Sequence, residues 1–192
     1  MTGFAIATLG MFAAVAPFGA LSPFLACSRT TQHPSLSRLA AQAAAVAFAI
    51  LALSALASAP SLELLAISPP SFQFAAAVLM APLATRLLVA GNGMPPGIAP
   101  AGVMAWLVPL GTPLLAGPTS IVAAISYGAR FGEGITIAAA ALTMAVSGTL
   151  LAGGPWLQGR IGSVGIAVLG RLSGLLLIAI AAELASDGAR SV

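Results

Sequence analysis

The residues of this sequence best placed to do chemistry are prolines, with the glycines and hydroxyls beside them. Pro17, Gly19, Ser22 and Pro23 fall inside one long apolar stretch, and Thr112, Pro113, Ala116, Gly117, Pro118 and Thr119 inside another. A proline within a helix lacks an N–H and crowds the carbonyl one turn earlier, so each cluster frees backbone donors and acceptors in the middle of an apolar run. Two half-helix N-termini facing one cavity would offer N–H groups and partial positive charge to an anionic group. Exposed carbonyls nearby would hold a cation. The pair of breaks therefore suits a zwitterion or a small anion. Taken singly, each break also reads as an ordinary membrane-helix kink whose freed groups are satisfied by neighbours. Two breaks in corresponding places favour the cavity.

Arg171 is a further candidate. A helix starting near Ser163 would carry its guanidinium one to two turns into an apolar run, where it could pair with a substrate carboxylate. Snorkelling to the interface is the alternative. Enzyme chemistry has little foothold: His33 is the sole histidine and lies in a polar loop, and no HExxH or paired carboxylate occurs. The single cysteine, Cys27, excludes a disulfide within one chain. The expectation is no enzyme, no metal and no cofactor.

The elements that must hold these residues are membrane spans. Of 192 residues, 59% are hydrophobic and 6% charged, with a mean hydropathy of +1.07, against roughly 25% charged in a soluble domain. Apolar stretches at 2–27, 36–57, 71–89, 101–125, 134–153 and 163–185 supply six spans of about the 20 residues a bilayer requires. The first is too long and too uncharged at its start for a signal peptide. Seven arginines and no lysines are scattered singly, without the basic stripe that nucleic acid demands. Arg29, Arg38, Arg86 and Arg160 fall on one side, Arg130 and Arg190 on the other, which favours both termini outside.

The chain reads as a single transmembrane domain over 1–192, with pseudo-repeats at about 1–90 and 101–192 and a Gly/Pro-rich loop at 91–100 between them. Each half opens on a proline-broken span. Pro17 to Phe72 is 55 positions and Pro113 to Arg171 is 58. Three spans per repeat would force the second copy to insert upside down. The expected fold is an all-α integral membrane protein, six transmembrane helices in a 3+3 inverted repeat with proline-broken first and fourth helices.

The segment Ala16-Pro17-Phe18-Gly19-Ala20-Leu21-Ser22-Pro23-Phe24-Leu25-Ala26 resembles the NPxGxxPxFLA-like element of the MarC family. Residues 109–121, from Pro109 through Leu114-Leu115-Ala116-Gly117-Pro118 to Ile121, are similar to that family's second signature, PLxxPLLAGPGAI. Gly170-Arg171-Leu172-Ser173-Gly174 is similar to its RxxG-type element. Ala16 stands where the family pattern has Asn, and Thr119 where it has Gly. The resemblance implies a six-span protein related to an amino-acid exporter superfamily, some of whose members move small neutral amino acids.

The functional expectation is a bacterial inner-membrane transporter of a small polar metabolite, such as a neutral amino acid, working by alternating access at the two broken helices. The alternative is a membrane scaffold or assembly factor without transport. The implied partners are the lipid bilayer, a small-molecule substrate, a coupling cation held on exposed carbonyls and no nucleic acid. Small residues at four-residue spacing would serve packing within the chain or a homodimer.

Overall fold

A computed structural model of the protein describes residues 2–30, 35–91 and 115–190. These form eight helices and short connections: α1 (Thr2–Val15), α2 (Pro17–Thr30), α3 (Leu36–Leu56), α4 (Ser58–Leu64), α5 (Pro69–Ala90), α6 (Pro118–Phe131), α7 (Glu133–Ala152) and α8 (Gly154–Arg190). Among the described residues, five stretches are long and apolar enough to cross a membrane: Thr2–Leu21, Leu36–Leu56, Pro69–Ala90, Glu133–Ala152 and Gly154–Arg190. All five overlap spans expected from the sequence, those at 2–27, 36–57, 71–89, 134–153 and 163–185. Most of the stretch expected at 101–125 lies outside the described residues, and α6 is its described end.

Local chemistry fixes the boundaries. Ser68 caps α5, its hydroxyl accepting the Ser71 N–H at 3.4 Å ahead of the two prolines that open the helix. Gly91 ends α5 in the left-handed region (φ 69°), its N–H donating to the Leu87 carbonyl at 2.8 Å. The connection expected after 57 contains the short helix α4. Helix α8 is interrupted at Gly162 (φ 68°, ψ 177°), so its second section begins at Ser163, where the last span is expected, and a first section from Gly154 precedes it. Its first section carries exposed Trp156 with the Arg160 guanidinium 5.2 Å from the ring centre, an interfacial anchor.

Small residues set the packing. Helices α5 and α8 run antiparallel, since Gly170 lies against the Gly91 carbonyl while Gly188 lies against Pro70 at the other end. A Cβ at Gly174 would stand 2.7 Å from the Leu88 nitrogen, and one at Gly188 2.8 Å from the Pro70 oxygen. Backbones that close leave no room for side chains. On α1, Gly10 lies directly under the Tyr127 hydroxyl of α6, another site where only hydrogen fits.

The buried positions recur. Those of α5, namely Ala76, Ala77, Met80, Ala84 and Leu87 with Gly91 after them, reappear 97 positions later in α8 as Ser173, Gly174, Leu177, Ala181, Leu184 and Gly188. Those of α3, among them Ala43, Ala44, Ala47, Leu51 and Ala55, reappear 96 positions later in α7 as Ala139, Ala140, Thr143, Ser147 and Leu151. The close contacts are exchanged in the same register. Gly91 approaches the Ala167 carbonyl and Gly188 the Pro70 carbonyl, and each residue of the second pair is 97 positions from one of the first.

Most of the packing joins the two halves. Helix α5 packs on α8, α3 on α7, α1 on α6 and α7, and α2 on α8 and α7. The ion pair found among the described residues, Arg130 to Asp187 at 3.0 Å, lies at one end of the bundle with both side chains more than a third exposed. At that exposure it contributes about 0–1 kcal/mol to stability.

Candidate functional site

The first break falls at Ala16, one residue earlier than the prolines themselves suggest. Pro17 disfavours a right-handed helical residue before it, and Ala16 turns to φ 47°. The Ala16 N–H still closes α1 on the Phe12 carbonyl at 3.0 Å. Its own carbonyl opens α2, accepting the N–H groups of Gly19 at 2.9 Å and Ala20 at 3.2 Å. Pro17 takes the first helical position, where a missing N–H costs nothing. The expected second interruption at Pro23 does not form. The backbone of α2 stays helical through Ser22 and Pro23, whose side chains lie outside the described set. Pro23 still strips the Gly19 carbonyl of its donor one turn on.

The second break repeats this pattern. Gly117 is extended (φ −71°, ψ 172°), Pro118 opens α6, and the Gly117 carbonyl accepts the N–H groups of Ser120 and Ile121, both at 3.1 Å. The Ser120 hydroxyl lies 3.0 Å from the Leu115 carbonyl and 2.9 Å from that of Gly117, one proton shared by two acceptors. At each helix start the proline removes one donor and the capping carbonyl takes two more. The N–H groups of Phe18 and Thr119 are left without a backbone acceptor among the described residues.

The two breaks meet. A cavity of about 50 Å³ is lined from the first by Ala14, Ala16 and Gly19, from the second by Gly117, Pro118 and Thr119, and from α5 and α8 by Leu83, Leu87 and Leu177. Thr119 donates its hydroxyl to the Ala14 carbonyl at 3.1 Å, fully buried. In an unbroken helix that carbonyl would have taken the Phe18 N–H, so the second break repairs a group orphaned by the first. Thr119 is the sole hydroxyl among the lining residues.

Of the residues singled out in the sequence, Gly19, Gly117, Pro118 and Thr119 line this cavity, while Pro17 and Ala116 are buried next to it. Thr112 and Pro113 lie outside the described residues. Arg171 is exposed on α8 and does not line the cavity. Its neighbours Gly170 and Gly174 face α5, and one residue further along a helix points about 100° away. Leu83, Leu87 and Leu177 were not foreseen, because nothing in an all-apolar helix marks which leucine meets a cavity.

The left-handed Ala16 is strained, since a Cβ there costs about 1–2 kcal/mol. Ala16→Gly is expected to raise stability by about 1 kcal/mol, seen as a higher thermal midpoint in detergent. An unchanged or lower midpoint would mean that the residue is not held at positive φ.

Helices long enough to span a bilayer, packed through small residues and broken around a common cavity, define a polytopic α-helical membrane protein. The chain belongs to the MarC family of integral membrane proteins, whose model matches residues 1–192. It is similar to a UPF0056 membrane protein of Methanocaldococcus jannaschii, 30% identical over 97% of this chain and 96% of the relative. It is also similar to the UPF0056 membrane protein YhcE of Escherichia coli K12, 27% identical over 96% of this chain and 90% of the relative. A UPF0056 membrane protein of Pyrococcus horikoshii matches 44% of the chain at 33% identity. No solved structure matches the chain significantly.

Proposed function

We propose that this protein is a transporter of a small polar metabolite, with a neutral amino acid as its substrate class, and that the substrate passes between the two broken helices. One observation carries the reading: two proline-started helices, capped by matching hydrogen bonds, share a single cavity. A carboxylate in the cavity can take the Thr119 N–H, and that of Phe18 once the half-helices part, while the stripped Gly19 carbonyl suits an ammonium or a coupling cation. In the same reading the halves form a 3+3 inverted repeat, which the recurrence of buried positions at 96 and 97 residues and the exchanged Gly91 and Gly188 contacts support. The setting is the inner membrane, with both termini outside, and the chain is not an enzyme.

The scaffold reading draws on the size and polarity of the same cavity. About 50 Å³ with one hydroxyl holds water rather than an amino acid, so transport requires the half-helices to part. Counterflow in proteoliposomes separates the readings. Vesicles preloaded with an unlabelled neutral amino acid are expected to accumulate its labelled form. Folded protein that exchanges none of the twenty amino acids would leave the scaffold.

A further inference from the structure

At the end of the bundle that carries Arg130 and Asp187, the start of α5, the end of α6 and the end of α8 enclose an open pocket of about 400 Å³, lined by Gln73, Arg130, Asp187 and Arg190. Its polar recognition falls to side chains, because Pro69 and Pro70 remove the first N–H groups of α5 and the Ser68 hydroxyl and carbonyl take the next two, from Ser71 and Phe72. The Arg130 guanidinium is held from two sides, 3.0 Å from an Asp187 oxygen and 5.3 Å from the centre of the Phe131 ring. Arg190 adds a second cation. The pocket thus holds a carboxylate beside two guanidiniums, the complement of a molecule that carries an anionic and an ammonium group close together.

A seam leads inward from it. Thr119, Ala123, Ser126 and Arg130 recur at three- and four-residue spacing and so share one face of α6. Thr119 lines the break cavity and Arg130 the outer pocket, eleven residues or roughly 16 Å apart along the helix. Between them Ser126 is 2% exposed, and its hydroxyl has no hydrogen-bond partner among the described residues. A buried hydroxyl without a partner is unfavourable and calls for an explanation, and a polar solute passing the seam would supply the missing contact. Along α5 the same course runs from Gln73 in the pocket past buried Met80 to Leu83 and Leu87 in the cavity. Methionine is the side chain that repacks most readily.

We propose that the Arg130–Asp187 pocket is an entry site for a small α-amino acid zwitterion, whose carboxylate takes Arg130 and Arg190 and whose ammonium takes Asp187, ahead of the seam to the break cavity. The inference rests on the transport reading for its route but not for its binding. A half-exposed ion pair exchanges partners readily, because solvent already screens it.

The test is equilibrium binding of tritiated L-alanine to the full chain in nanodiscs of phosphatidylcholine and phosphatidylglycerol. Wild type is expected to bind saturably. Arg130→Gln and Asp187→Asn should each weaken binding at least tenfold while leaving the elution profile and thermal midpoint unchanged. Ethylamine and propionate should compete far less well than unlabelled L-alanine. Absent binding by wild type, unchanged binding in both variants, or propionate competing as well as L-alanine would each overturn the site. Phosphoethanolamine competing better than L-alanine would reassign it to a lipid headgroup and equally overturn it. Counterflow on the same proteins keeps the two claims apart. Binding without exchange removes transport and leaves the pocket, whereas exchange with wild-type KM in both variants removes the pocket and leaves transport.

Discussion

Gly117→Leu is expected to reduce amino-acid counterflow to background while the protein remains folded in the membrane. Gly117 caps α6 and lines a cavity of only about 50 Å³, into which four added carbons would project. The backbone conformation there, φ −71° and ψ 172°, is open to any residue, so the substitution fills space without straining the chain. Initial rates in proteoliposomes, read beside the elution profile, decide the matter. Wild-type flux from a well-folded variant would reduce the second break to a kink. An intermediate case is informative too: Thr119→Val should leave the Ala14 carbonyl unpaired and lower stability by about 0.6–1.7 kcal/mol, the range for hydrogen bonds between membrane helices.

A large loss of stability is expected at Gly174. A Cβ there would meet the Leu88 nitrogen at 2.7 Å, the Leu87 Cβ at 2.9 Å and the Ala84 oxygen at 3.0 Å. Two of these are backbone atoms that cannot rotate away, so a leucine forces α5 and α8 apart along their whole seam. Overpacking a core costs typically about 1–3 kcal/mol and occasionally more, and backbone contacts belong at the upper end. Gly174→Leu should therefore lose its monodisperse elution peak in mild detergent. Gly159→Ala is the matched control, because nothing lies within 4 Å of the added Cβ. A Gly174→Leu protein that melts with wild type would show that the seam is looser than its glycines imply.

Much of the scaffold was legible because length and hydropathy alone define a membrane span, and α3, α5 and α7 begin and end within two residues of the apolar runs that announce them. The break was legible as a place but not as a geometry. Proline acts on the residue before it, so the turn fell on Ala16, and α2 then continued through Pro23. Faces were hidden. In a helix apolar on every side, the buried stripe carries no polar contrast, and only the small residues Gly170, Gly174 and Gly188 betray which side of α8 meets α5. Arg171, one position past Gly170, accordingly lies exposed and away from the break cavity, which its place in an apolar run does not reveal. The sequence also carries the match between the two breaks: Arg29 and Arg130 each stand twelve positions after the proline that starts their helix, Pro17 and Pro118.

The clasp between the halves also bears on how alternating access would work here. With α5 on α8 and α3 on α7, neither half can rock as a body without opening the glycine seams. Alternating access would then have to run through the shorter pieces α1, α2 and α6, cut from their neighbours at Ala16 and Gly117, with α1 and α6 moving together across the close Gly10–Tyr127 contact.

The same clasp sets a timetable for synthesis. The first three spans enter the bilayer with their glycine and alanine faces against lipid, because the surfaces that cover them are encoded about 97 residues downstream. At roughly 5–20 residues per second, the nascent chain waits about 5–20 s for its other half. Helix α5 gains its partner only as the last helix leaves the ribosome. A chain ending before Gly170 would keep that seam open and present it to the proteases that survey the membrane.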